Sequence, residues 1–194
     1  LRGKFTVTDT PTKMTWTKVT LAECCDEIAQ RVDNPAKSGF DRFVGLDHLK
    51  TGQTSVHNWG STEDVTSSMK IFKAGDVIVA RRNVYLRRAS LVDFDGVCSG
   101  DGIVLRGHPK TCLPELLPFL LNTDGFWEYV TSQADGTMSK RITVKRLLAY
   151  EFALPPLEQQ RRIAEVLGSF SKTADSLVLL ENQATRTFRV SLSA

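Results

Sequence analysis

The residues of this 194-residue chain that could do chemistry are cations beside amides and aromatics, not nucleophiles beside bases. Arg81, Arg82 and Asn83 follow directly on an apolar run, Val77-Ile78-Val79-Ala80. Arg87 and Arg88 come after a short gap holding Tyr85, and Lys140 and Arg141 follow Ser139 in a polar stretch after Gly136. Residues 53–61 add Gln53, His57, Asn58 and Trp59. Reading duplex DNA needs this mixture: Lys and Arg neutralise phosphates, Arg and Asn offer paired groups to base edges, and an indole can stack. Each residue alone also reads as solvated surface, and Trp59 as packing. Their grouping on loops beside strands is what points to nucleic acid. Arg81, Arg82, Asn83, Arg87, Lys140 and Arg141 are the candidate DNA contacts, with Gln53, Asn58 and Trp59 secondary.

The overall charge balance is only mildly basic, 25 Lys and Arg against 22 Asp and Glu. Its distribution says more. Residues 70–110 hold eight basic residues (Lys70, Lys73, Arg81, Arg82, Arg87, Arg88, Arg106, Lys110) against four acidic ones (Asp76, Asp93, Asp95, Asp101). Lys140, Arg141, Lys145 and Arg146 have no acid between them, while Glu23, Asp26 and Glu27 gather elsewhere. Segregation of this kind makes a local positive face on a nearly neutral protein.

The patterns that carry catalysis are missing. No GxGxxG follows a strand, and there is no Walker lysine loop, HExxH or zinc-ribbon spacing. The run GVCSG at 96–100 misses the nucleophile-elbow pattern by one residue and lies between strands, so Ser99 reads as a turn residue. There is no methyl-donor-binding glycine loop. Pro155-Pro156 is preceded by Leu154, which cannot orient a base amine as the Asn or Asp of a methyltransferase motif would. Asp93 and Asp95, beside Gly96, read as a solvated turn. Cys24, Cys25, Cys98 and Cys112 form no CxxC pair, and His48, His57 and His108 sit at no metal-ligand spacing. Four free, mostly buried thiols in a reducing cytosol are expected, with no metal or cofactor bound by this chain.

The elements that must position the cations follow from periodicity. Residues 16–19 read as a short strand. Thr20 and Glu23 form a capping-box pattern, and Leu21, Cys24, Cys25, Ile28 and Val32 have helical spacing, which predicts a helix from 21 to about 33, ended by Pro35. Short apolar runs at 43–46, 77–80, 91–92 and 103–105 predict strands separated by Gly- and Asp-containing turns. Helical spacing returns over 114–133, broken near Thr123-Asp124-Gly125, and Tyr150, Phe152 and Leu154 alternate as a last half-buried strand. Pro156 then opens a long helix. Ile163, Val166, Phe170, Thr173, Leu177, Leu180, Ala184 and Thr187 alternate spacings of three and four, a heptad seam suited to a second helix. At 1.5 Å per residue a helix over 156–190 runs about 50 Å, and Thr173 and Ala184 thin its seam. No stretch approaches the ~18 apolar residues of a membrane span. The chain begins at Leu1 rather than Met, so a trimmed or partial chain is expected, and 1–6 lack the apolar core of a signal peptide; a cytoplasmic location is expected.

Several of these stretches together resemble a known family. "LPPLEQQRRIAEVL" is similar to the junction into a conserved helix in the DNA-specificity subunits of type I restriction-modification enzymes. "WTKVTLAECCDEI" resembles the start of their target recognition domain, and "FKAGDVIVARRN" its central Gly-Asp strand. "SGDGIVLRG" and "QADGTMSKRITVKRLLAYEFALPP" resemble its later strands and the loop before the helix. The likeness runs over about 16–171. It implies a subunit that does no chemistry: two recognition domains, held apart by antiparallel conserved helices, each read half of a split DNA site. It further implies that methyltransferase subunits bind those helices and modify adenine with S-adenosylmethionine, with a translocating restriction subunit as a further partner. This chain departs in size, with one recognition domain and one helix where the usual subunit has two of each. A half-subunit that dimerises would read a palindromic bipartite site.

The expected architecture is therefore α+β: a mixed α/β recognition domain with a short-stranded sheet over 1–154, then a long coiled-coil-like helix over 155–194. The expected partners are double-stranded DNA, a methyltransferase subunit and a restriction subunit, with homodimerisation through the helix as a further expectation. Ile163, Phe170, Leu177 and Leu180 are the expected partner contacts. The rivals are a fragment of a DNA methyltransferase or nuclease, and a protein-interaction adaptor whose basic loops are merely solvated.

Overall fold

A computed structural model describes residues 15–192; the reading of 1–6 lies outside the described residues, as do the side chains of Ala184 and Thr187. The fold is built around two apolar runs. Strand β7 (Val77–Ala80) pairs antiparallel with β10 (Gly102–Gly107), setting Val79 against Ile103 and Ile78 against Val104. Neither run alternates with polar residues, because both faces of this sheet are covered. Val77, Val79, Ile103 and Leu105 face one core, while Ile78, Ala80 and Val104 face another.

Flanking β7 and β10 are β2 (Cys25–Glu27) and β8 (Ala89–Leu91), in the order β2-β10-β7-β8. The first core is closed by α1 (Leu117–Leu120), α2 (Asp124–Gln133) and α3 (Val144–Leu148), which contribute Leu117, Phe126, Trp127, Val130 and Leu147. Thr123 and Thr143 cap α2 and α3 through their hydroxyls, satisfying amides that have no partner inside the helix. The second core lies under a five-stranded sheet. Its strands are β3 (Arg31–Val32), β4 (Arg42–Val44), β5 (Gly60–Ser61), β6 (Met69–Phe72) and β9 (Gly96–Cys98), in the order β3-β6-β9-β4-β5. Only the β4–β9 pairing in it is parallel.

The helix expected over 21–33 does not form. The Glu23 carboxylate accepts from the Thr20 amide at 2.6 Å and from the Thr20 hydroxyl at 2.8 Å, but this caps only the single 3-10 turn Leu21–Glu23. The chain then straightens into β2, which pairs with β10 at Cys25↔Gly107 and Glu27↔Leu105, and into β3, which pairs with β6. The apolar positions that mimic a helical stripe are divided between the cores: Leu21, Cys24 and Cys25 enter the first and Ile28 packs on the second. Ladder bonds to β10 outweigh a local preference that Cys, Asp and β-branched Ile and Val only weakly support. Cys24 and Cys25 thus sit at a turn and a strand start, not on a helix. All four cysteines are free and buried.

Strand β1 (Thr17–Thr20) pairs antiparallel with β11 (Glu151–Leu154), so the described body begins and ends side by side. From that stem runs α4 (Leu157–Leu192). Its root is fastened by Gln160, which is 1% exposed. The Gln160 side chain donates to the carbonyls of Thr111 and Pro155 at 2.9 and 2.8 Å and accepts from the Leu113 amide at 2.9 Å. Trp16 donates its indole N–H to Gln159, Ala164 is buried, and Thr54 and Ser171 share a hydroxyl hydrogen bond of 2.7 Å. The first turns of α4 therefore lie against the body. Val166, Phe170, Leu177 and Leu180 are exposed. Among the described residues no helix is long and apolar enough to cross a membrane.

Candidate nucleic-acid interface

The end of β7 brings the two basic segments together. As the strand runs out at Ala80, the chain pairs with 140–142: Ile142 donates to the Arg81 carbonyl at 3.0 Å, and Asn83 donates its amide to the Lys140 carbonyl at 2.9 Å. A single β-bridge joins Arg82 to Arg141. Arg81, Arg82, Asn83, Lys140 and Arg141 thus form one seam, although about sixty positions separate the two segments in the chain.

The seam has its own wiring. Ser139 donates its hydroxyl to Asn83 Oδ1 and accepts from Arg82 Nε, both at 3.0 Å. Asp101, in the turn that leads into β10, lies 3.8 Å from Arg82 and 3.7 Å from Arg141. One carboxylate facing two guanidiniums leaves the seam net positive, and both arginines are about half exposed, 46% and 50%. Such long, wet ion pairs hold little energy, so either arginine can turn to a phosphate at small cost. Arg141 is also held at the neck of a loop by reciprocal main-chain bonds with Asp135 of 2.9 and 2.8 Å. The Arg146 guanidinium bonds the Asp135 carboxylate at 2.6 Å, which raises the guanidinium above its ordinary pKa.

Asn83 and Arg87 both adopt left-handed backbone, with φ of 54° and 48°. They bracket the 3-10 turn Val84–Leu86, whose Val84 anchors in the first core while Tyr85 points out. For Asn this conformation is common; for Arg it stores strain, which tends to be kept where a side chain must be aimed. Arg87 pairs with Asp124 at 2.6 Å, at the start of α2.

Arg88 turns inward instead. Its guanidinium donates to the carbonyls of Leu46 and Arg82, and desolvation by burial lowers its pKa. It is a strut between loops. Nε of Arg88 and Nε of Arg81 are buried without a hydrogen-bond partner, so both side chains carry a desolvated donor beside the seam.

The secondary candidates sit in other neighbourhoods. Trp59 lies over Phe94, with ring centroids 5.0 Å apart, and the Arg42 guanidinium stacks 4.2 Å from its centroid. It covers the mouth of the second core and is 44% exposed. Gln53 offers its carbonyl to the Ser90 hydroxyl and lines a groove against α4 with Phe119, Leu167 and Phe170; that is the root of the helix, not the seam. Asn58 is exposed near Trp59. Asp93 and Asp95 lie exposed in a turn, where Asp95 accepts from the Ala74 amide at 2.9 Å. The Gly-Asp segment is structural too. Asp76 is 1% exposed and holds Arg106 through two bonds of 2.7 Å. Sequence reasoning passed over Ser139 and Asp101 as members of the seam. The antiparallel β7–β10 register, which sets Asp101 beside Arg81, is the signal that could have found Asp101.

Comparisons with known proteins agree on one family. The model for the type I restriction modification DNA specificity domain matches residues 14–185. The type I restriction enzyme EcoDI specificity subunit of Escherichia coli is 24% identical over 160 residues, covering 81% of this chain and 35% of that protein. The HsdS subunit from Thermoanaerobacter tengcongensis is 27% identical, with a TM-score of 0.69 over 90% of this chain and 47% of its own. A chain from a structure on complex assembly and conformational transition of the type I R-M system gives 26% and 0.69, with the same coverage. The type I S subunit from M. genitalium, at 16% identity and a TM-score of 0.58, shares the fold. The chain thus spans about a third to a half of the length of these relatives.

Proposed function

This chain belongs to the family of type I restriction modification DNA specificity domains, and from that premise we propose that it is the sequence-reading, non-catalytic part of a restriction-modification complex. The body over 1–154 reads duplex DNA, and the helix over 155–194 is the arm through which catalytic subunits are recruited. The observation that carries the reading is the seam, where Arg81, Arg82, Lys140 and Arg141 share one main-chain pairing with a single carboxylate, Asp101, between two of them. Cations on a rigid strand end can neutralise phosphates and fix register, while Asn83 and the loop 136–140, tied to each other, face base edges together.

The arm is the surface for helices. Ile163 is half-buried, but Val166, Phe170, Leu177 and Leu180 form an exposed stripe at coiled-coil spacing. The occupant is a second such helix, supplied by another recognition unit or a second copy of this chain, with a methyltransferase subunit bound along the pair and a restriction subunit joining it. S-adenosylmethionine belongs to the methyltransferase, and a cytoplasmic location goes with the role.

The test is selection of sites from a random duplex pool by the purified chain, alone and with its methyltransferase. Binding should favour one sequence and fall about a thousandfold or more between ~50 and ~200 mM salt if six or more phosphates are contacted. Methylome sequencing of the host with and without the gene should lose one motif. A chain that binds all duplexes alike, in a host whose methylome is unchanged by deletion, would refute the reading.

A further inference from the structure

Among the described residues, the large apolar side chains left in water separate into groups with different explanations. Val166, Phe170, Leu177 and Leu180 belong to the stripe on α4. Trp16 donates to Gln159, and Trp59 packs on Phe94 under Arg42. Leu157, at 37%, is barely exposed where α4 begins. Two remain, Tyr85 at 58% and Met138 at 95%, and both flank the basic seam. Isolated exposed apolar residues are common; these two stand beside the cationic seam, where a ligand's apolar surface could cover them.

Met138 is the sharper case. It occupies the tip of the loop 136–140, whose neck is closed by the paired bonds between Asp135 and Arg141 and whose far side is sewn to Asn83 by Lys140 and Ser139. Gly136, at φ +104°, allows the reversal that no other residue type makes easily. Gly136, Thr137 and Met138 are all exposed, so the loop is a short tongue closed at its base by one β-bridge between Asp135 and Arg141, with an apolar tip and cations behind it. The DNA major groove, about 12 Å wide, is broad enough to take the tip of so short a loop. The thioether side chain has no donor for a base edge or a phosphate. The apolar feature that groove offers is the 5-methyl of thymine.

We infer that the 136–140 tongue enters the major groove and that Met138 is a specificity residue whose side chain packs on the 5-methyl group of a thymine in the recognition sequence. The inference rests on the DNA-reading role above and adds the groove, the residue and the base feature read. Arg82 and Arg141, at the base of the tongue, hold the flanking phosphates.

The experiment uses the duplex selected by the full chain, with its thymines replaced one at a time by deoxyuridine, which lacks the methyl. It measures wild type, Met138→Ala and Met138→Leu. Wild type should lose about fivefold in affinity at one thymine, the loss expected for one buried methyl. Met138→Ala should lose a similar factor on the unmodified duplex, then be indifferent to deoxyuridine at that position, with an unchanged salt slope. Met138→Leu should restore most of the affinity and the methyl sensitivity. Thermal melts should superimpose, because the side chain touches little else. The inference is overturned if wild type ignores every methyl, or if Met138→Ala remains as methyl-sensitive as wild type. It is equally overturned if Met138→Ala abolishes DNA bending without a methyl effect, the signature of a wedge between base steps. If wild type selects no sequence at all, the DNA-reading role itself fails; if it selects one and only the methyl pattern is absent, this inference fails alone.

Discussion

The root of α4 and the basic seam are built on opposite principles. At the root the buried polar group is fully engaged: one amide, Gln160, satisfies two carbonyls and an amide from two separate places in the chain, 111–113 and Pro155. At the seam the balance is deliberately incomplete. Two arginines compete for Asp101 at long distance, Arg81 Nε is buried without a hydrogen-bond partner, and Asn83 is held in left-handed backbone. A fully satisfied region contributes stability and direction; an under-satisfied, strained one is ready to exchange its contacts for a ligand's. The molecule keeps its rigidity where the arm must point and its unsettled charge where DNA would lie.

The largest effect should come from the root. Gln160→Ala leaves one buried C=O and a part-buried N–H and C=O unmet, so unfolding free energy should fall by roughly 3 kcal/mol, a Tm lower by about 6–12 °C in calorimetry. A drop under ~1 kcal/mol would mean that water fills the site and that the root is less dry than described. The seam should respond the other way. Arg82→Ala combined with Arg141→Ala should weaken duplex binding about 10- to 100-fold and reduce the salt slope by about two, with Tm nearly unchanged because both ion pairs are half-solvated. A large loss of Tm with binding intact would reverse the contrast. On the exposed stripe, Leu177→Asp should weaken helix-mediated assembly at least about tenfold in sedimentation while leaving the melt of the body unaltered.

The smallest effect is a pH dependence at a third place. His108 Nε2 lies 2.7 Å from Asp26, and Nδ1 faces the Glu23 carbonyl, so the imidazole pKa is raised, mainly by the Asp26 carboxylate. A folded-state pKa above the unfolded value, about 6.5, means the histidinium pair stabilises fully below that value. The contribution is lost as pH rises through the folded pKa. His108→Asn should therefore lower Tm slightly at pH 5.5 and not at pH 9. An equal difference at both pH values would show that the ring's packing, not its charge, matters. At the buried thiols the same physics runs toward inertness: burial pushes Cys25 and Cys98 up to about 12, which keeps them from reacting.

Much of this contrast was legible in the chain. The Val77-Ile78-Val79-Ala80 and Ile103-Val104-Leu105 runs declare strands covered on both sides, Pro156 declares the start of α4, and the spacing of its apolar residues declares the stripe. The basic segments were recognisable as a set because loops beside strands carry them. What local pattern could not supply was partnership. Residues 21–32 have a helix's spacing and a helix's cap, yet non-local ladder bonds to β10 and β6 draw them into strands. Arg87 and Arg88 are neighbours of one type, yet one meets a surface carboxylate and the other is a half-buried strut, a difference set by Leu46, some forty positions away. Gln53 was grouped with Trp59 by sequence proximity, but its loop folds under α4.

The β1–β11 stem has a consequence for how the molecule is made. It closes a loop of roughly 130 residues, so during synthesis the body cannot shut until its last strand leaves the ribosome, just ahead of the arm. Until then β1 waits as an unpaired edge, and the apolar floor beneath it stays open to chaperones or to neighbours. Slow, late closure should make refolding yield sensitive to concentration, and the seal at Thr17–Thr20 should be the last region to gain protection in pulsed hydrogen exchange.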